Sequence, residues 1–188
     1  SVGHPLTIQE GRNIFQIADA LEARGLGSRD QFLDLCKDQG WIATLGLESS
    51  PPTLEGFLFP ETYNFNKTMN EKEIIQTMVN RFNRVWKENN LGQQAKDLGF
   101  DQLETVTLAS IVEKETGAPN ERRLISSVFH NRLRKRMRLQ SDPTTIYGIW
   151  ETFNGNLRKH HLKEKNAYNT YAIRGLPAGP ISNPGKDC

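Results

Sequence analysis

With 188 residues, 36% of them hydrophobic, the chain is long enough for one domain with a real core, or for one domain and a small appendage. Charged residues make up 24% and the net charge is +2, so total charge excludes nothing more than recognition driven by bulk charge alone. Two cysteines, one of them the last residue, argue against a structural bridge and offer no metal spacing, and no apolar run is long enough to span a bilayer. No signal peptide is visible. The abrupt start and the ending Gly185-Lys186-Asp187-Cys188 read as a fragment or a trimmed chain, from which a membrane anchor could have been removed.

Residues 13–24 carry Ile14, Ile17, Ala18 and Leu21 at helical spacing and end at Gly25. Ser28-Arg29-Asp30-Gln31 is a capping-box pattern opening a second helix with Phe32, Leu33 and Cys36. Gly46 to Pro52 reads as a linker, so residues 1–50 are expected to form a small helical subdomain and residues 51–188 the main domain. Leu54 to Phe65 is rich in aromatics and is broken by Gly56 and Pro60; it could line a groove or be an irregular piece of core. Asn70-Glu71-Lys72-Glu73 caps the clearest helix, whose stripe is Ile74, Ile75, Met78, Val79, Phe82, Val85 and Trp86.

Asp101-Gln102-Leu103-Glu104 opens a helix through Glu115. At about 100° per residue, Leu108, Ile111, Val112 and Glu115 fall on one face and Glu113 on the other. Glu115 thus stands where a helix buries a Leu. Burial, together with the negative end of the helix dipole, would keep it protonated nearer neutral pH, as a general acid requires. A Glu paired with an Arg of the next helix is the structural alternative. Gly117 is expected to supply a left-handed C-cap, with Pro119 stopping the helix. Asn120 can cap the next helix, carrying Leu124, Ile125, Val128, Phe129 and Leu133. From Arg122 to Gln140 there are seven Lys and Arg and no acid, either a solvated helix end or a surface for acidic groups. Beyond Arg138, turn residues dominate. With little period-two alternation, the expected fold class is α+β, predominantly helical with minor strands.

Leu54-Glu55-Gly56 with Pro60-Glu61-Thr62, then Ala109 to Thr116, Val128-Phe129-His130-Asn131-Arg132-Leu133 and Met137 to Thr144 form an ordered motif set. Tyr147-Gly148, Tyr168-Asn169-Thr170-Tyr171, Gly175-Leu176-Pro177 and Gly179-Pro180-Ile181 complete it. From about residue 7 onward the chain resembles the YceG-like family of endolytic murein (peptidoglycan) transglycosylases. The resemblance implies a lysozyme-like helical catalytic core. It also implies cleavage of the β-1,4 bond between N-acetylmuramic acid and N-acetylglucosamine without water, leaving a 1,6-anhydro end. The family's catalytic Glu matches Glu115, and Glu115-Thr116 is comparable to the Glu-Ser ending the corresponding helix of lysozyme-like lytic transglycosylases. One carboxyl suffices for that reaction, first as acid and then as base. A hydrolase needs two, and Asp142, Glu55 and Glu61 are the available seconds.

Gln140, Asp142, Asn131, Tyr147, Tyr168, Asn169, Thr170 and Glu55 are the further candidates for contact with sugar, each equally able to fix a loop. The resemblance implies no cofactor and no metal. It implies murein glycan strands as partner, cell-wall synthases as possible associates, and a place in the bacterial cell envelope, anchored in the inner membrane through a helix outside this chain. Family members also carry a LysM-like region and a C-terminal stretch closing the domain, so the main domain is expected to be truncated. Competing readings are a non-catalytic murein-binding scaffold, a nucleic-acid binder using Arg122 to Arg138, and a pyridoxal-phosphate lyase. The charge of +2 and the lack of a nucleic-acid motif weigh against the second. The third lacks a suitable Schiff-base Lys, since Lys114 falls on the solvated flank of its helix.

Overall fold

A computed structural model of the chain describes residues 4–188. It is predominantly helical with one two-stranded sheet. Strand β1 (His4–Thr7) pairs antiparallel with β2 (Thr62–Phe65), setting Leu6 against Tyr63. Helix α1 (Ile14–Ala23) follows a capping box between Asn13 and Gln16 and buries Ile14, Ile17, Ala18 and Leu21. Helix α2 (Arg29–Lys37) starts at Ser28, whose hydroxyl accepts from Gln31 N–H, and buries Phe32, Leu33 and Cys36. A single turn, α3 (Gln39–Ile42), follows.

The long helix α4 (Glu71–Glu88), capped by Asn70, buries the whole expected stripe from Ile74 to Trp86. Ile74, Ile75, Met78 and Val79 are fully enclosed, and each such side chain contributes roughly 1.5–3 kcal/mol of burial energy. Helix α5 (Leu91–Asp97) turns the chain into α6 (Gln102–Glu115), which starts at a complete capping box between Asp101 and Glu104. Then come α7 (Arg122–Arg134), α8 (Asp142–Gly148) and α9 (Lys159–Lys163).

The core does not divide at residue 50. One cluster runs from Leu6 through Leu45 into Leu54, Phe57, Leu58, the α4 stripe and Val106. A second holds Leu108, Ile111, Val112, Phe129, Leu139 and Ile181. Helix α6 crosses from one to the other, and Tyr147 packs on both. The 46–52 stretch is tied down, because Gln102 Oε1 accepts from the backbone of Glu48 and Ser49. Leu54, Phe57 and Leu58 are fully buried, with Phe57 edge-on to Phe82 at 5.0 Å, so that aromatic stretch is largely core.

Three local expectations fail for tertiary reasons. Gly117 is not the cap of α6; Thr116 ends the helix in extended backbone, and its hydroxyl accepts from Ala118 N–H while donating to Glu121. Asn120 lies inside a 3₁₀ turn (Pro119–Glu121), and α7 begins without a side-chain cap. The α7 stripe is covered only in part: Phe129 is buried, while Leu124 and Val128 are 68% and 40% exposed, because α7 packs by one flank against α6.

Candidate active site

Glu115 closes α6, but not as its spacing suggested. The residue is exposed, so the desolvation expected of it is missing. Glu113 is the carboxylate drawn inward: its side chain is 7% exposed and lies 4.0 Å from the Arg122 guanidinium of α7. It also accepts from Gly185 N–H at 3.0 Å. The pairing of a Glu with an Arg of the next helix therefore exists, one turn-flank away from Glu115. Helix α6 buries a second stripe, Val106 and Ser110 leading to Glu113, as well as the expected one of Leu108, Ile111 and Val112. Glu115 passes beyond the second cluster and reaches solvent.

What holds Glu115 is Ser141, whose Oγ donates to Glu115 Oε1 at 2.6 Å. Ser141 is itself buried and fixed from behind. Its N–H donates to Thr170 Oγ1 at 2.9 Å, and Thr170 and Thr144 share a hydroxyl contact of 2.7 Å. Gln140 N–H donates to Thr170 O at 3.2 Å, and Gln140 takes a left-handed φ of 54°. Asn169 braces the same loop: it accepts from Thr145 Oγ1 and Tyr171 N–H and donates to the carbonyls of His161, Leu162 and Glu164.

Asp142 opens α8 beside this cradle and accepts from Tyr171 Oη at 2.6 Å. That hydrogen bond, with burial and the charges of Asp142 and Glu115 adding, pushes the Tyr171 phenol up to about 12, while Arg132 opposes the shift. Glu115, Ser141, Asp142, Tyr171 and Arg132 thus share one neighbourhood. Ser141 and Tyr171 stand inside the motifs read from the sequence without having been singled out there; their signal was adjacency to Asp142 and to Thr170.

The other candidates separate by burial. Gln140 and Asn131 are exposed, and Asn131 is bonded to Arg134 of its own helix. Tyr168 is half-buried and meets Tyr147 edge-on at 4.8 Å. Asn169 and Thr170 are fully buried, which favours loop-fixing over sugar contact for both. Glu55 is likewise fully enclosed, a placement that favours the structural one of its two readings. It accepts from Ile14 N–H at 2.9 Å, Tyr147 Oη at 2.8 Å and Asn183 Nδ2 at 2.9 Å. Burial pushes its carboxyl up to about 8 even though these donors favour the charged form. The same burial, followed by the Glu55 charge, raises the Tyr147 phenol far above its ordinary range. Glu61 is committed to Arg81 at 3.1 Å. Asn183 went unnoticed in the sequence, because its partners Arg12, Glu55, Gly56 and Leu58 all lie more than a hundred residues away.

Chemically, the cluster offers two exposed carboxylates, each held at one oxygen by a hydroxyl donor: Glu115 by Ser141 and Asp142 by Tyr171. No group of three or more His, Cys, Asp or Glu among the described residues could hold a metal ion.

Comparison with known proteins bears on this geometry. A family model described as the YceG-like family matches residues 1–188. The endolytic murein transglycosylase of Bacillus subtilis (strain 168) is 34% identical over 194 residues, covering 96% of this chain and 53% of that protein. That of Streptococcus pneumoniae serotype 2 (strain D39 / NCTC 7466) is 31% identical over 205 residues, covering 97% of this chain and 37% of that protein. A crystal structure of a YceG-like protein from Listeria monocytogenes superposes with a TM-score of 0.85 at 31% identity, covering 98% of this chain and 64% of that one. The chain spans about half the length of the Bacillus relative. It belongs to the YceG-like family.

Proposed function

We propose that this chain carries the catalytic site of an endolytic murein transglycosylase acting on the glycan strands of peptidoglycan in the bacterial cell envelope. The observation that carries the reading is Glu115: an exposed carboxylate at the end of a helix that runs through the core, gripped by Ser141 at 2.6 Å. The relatives named endolytic murein transglycosylase support the substrate and reaction class. Glu115 acts first as acid, protonating the glycosidic oxygen between N-acetylmuramic acid and N-acetylglucosamine. As carboxylate it then accepts the proton of the muramic C6 hydroxyl, which closes on its own anomeric carbon. No water enters, and a 1,6-anhydro end forms. Proton transfer by a positioned carboxyl contributes typically about 10²–10⁴-fold.

A double-carboxylate hydrolase is the less supported alternative. Glu55 is sealed in the core, and Asp142, though exposed, already accepts from Tyr171, so Asp142→Asn is the variant that tests this alternative. Association with cell-wall synthases and anchoring in the inner membrane belong to the same proposal for the whole protein.

The test is a digest of purified glycan strands by this protein and by Glu115→Gln, with products weighed by mass spectrometry. Anhydro-ended fragments from the first and a loss of at least about 10³-fold in the second are expected. Reducing ends, one water heavier, would sink the transglycosylase mechanism. No cleavage by either would favour a murein-binding module.

A further inference from the structure

We propose that the depression walled by Lys135, Arg136, Arg138, Gln140 and Arg174 is an anion subsite that receives a carboxylate of the peptide stem carried by a murein strand lying at Glu115. The assignment rests on the transglycosylase reading and adds to it the part of the substrate that is not sugar.

The depression is open and holds about 510 Å³. Its four cations come from two segments, the turn after α7 and the loop before Gly175. The basic run read from the sequence divides by role, with Arg123 exposed and unpartnered among the described residues but away from this depression. Arg122 faces Glu113, Arg132 holds the carbonyl of Leu139, and Arg134 holds the Asn131 side chain. Lys135, Arg136, Arg138 and Arg174 have no side-chain hydrogen bond or ion pair among the described residues, and all four are exposed around one concavity. Like charges gathered without a partner repel one another, and an anion seated among them relieves that repulsion.

The backbone of the wall is fixed by hydrogen bonds. Arg136 and Gln140 both take left-handed backbone, with φ of 55° and 54°. At Arg136 this is the left-handed residue of the helix stop that ends α7, with Arg136 N–H donating to Leu133 O. The holding bonds are Met137 N–H to Arg132 O at 2.8 Å and Gln140 N–H to Thr170 O at 3.2 Å.

Position supplies the last step. Gln140 lines the depression and precedes Ser141, whose hydroxyl grips Glu115. The depression and the residue that holds the candidate acid thus share one loop, and a strand lying at Glu115 runs beside it. Three of the four cations are Arg, whose planar fork matches a carboxylate in two parallel hydrogen bonds.

The test compares uncrosslinked strands bearing intact peptide stems with the same strands stripped of stems by an amidase. The protein is expected to favour stemmed strands in kcat/KM on the order of tenfold, as a charge-assisted contact allows. Combining Arg138→Gln with Arg174→Gln is expected to bring that ratio close to one, through KM. A ratio unchanged in the variant, or equal losses on both substrates, overturns the subsite. A second arm titrates free stem peptide, its carboxamide form and inorganic pyrophosphate calorimetrically. Binding of the free acid alone, lost in the paired variant, supports the assignment. Tighter binding of pyrophosphate overturns it in favour of a phosphate ligand. Because this arm reads no cleavage, peptide binding without strand cleavage would retire the transglycosylase reading and keep the subsite. Cleavage indifferent to stems would do the reverse.

Discussion

Ser141 commits its hydroxyl proton to Glu115 and makes no side-chain cap to its own helix α8. Hydrogen bonds to charged groups are worth about 1.5–3 kcal/mol, so Ser141→Ala is expected to lower kcat about 10- to 100-fold with little change in KM. Ser141→Thr keeps the donor and should restore part of the rate, with far-UV circular dichroism unchanged in both. Glu55 makes a different prediction. Its folded pKa of about 8 lies above the ordinary 4.5, so the folded state binds the extra proton between those values. Stability from this group is full below about pH 4.5 and is lost as pH rises through about 8. The melting temperature should fall across that window, and Glu55→Gln should flatten the slope. A slope unchanged in the variant would mean that Glu55 is not its source.

Helix α6 is where local reading and tertiary structure diverge most instructively. Its start was legible, because the Asp101–Glu104 capping box involves residues three apart. Its end at Glu115 followed the motif, while the apolar spacing placed that residue on the buried face, where it does not lie. Burial was not legible, because it depends on what packs around the helix: Arg122, Gly185 and Ile181 arrive from elsewhere and draw in the flank of Glu113 and Ser110. The 54–58 segment makes the same point. Gly56 was noted as a helix breaker, whereas its requirement is spatial. With φ of 94°, a Cβ there would stand 2.5 Å from Pro180 and 2.8 Å from Val106 Cγ1. Left-handed strain and overpacking together give Gly56→Ala an expected cost of about 3 kcal/mol, read as a shifted midpoint in urea unfolding.

At the scale of the molecule, two hydrophobic clusters are joined by α6 and by the closing stretch through Asn183. Ile181 N–H donates to Ser110 Oγ, and Asn183 exchanges backbone hydrogen bonds with Gly11 and Arg12. The Asn183 side chain also caps Gly56 and Leu58 N–H and holds Glu55. A chain ended at Ala178 would leave these groups buried and unmatched, each at about 1–3 kcal/mol. By tryptophan fluorescence in urea, the full chain is expected to unfold in one sharp transition and the truncated chain without one; a truncated chain that still unfolds cooperatively would refute this account. Between Arg12 and Asn183 the chain runs 171 residues. Loops of that length close late and slowly. During synthesis, therefore, α1 and the Glu55 segment leave the ribosome long before the asparagine that locks them exists. Until it arrives, the Glu55 carboxylate stays unclaimed by that amide.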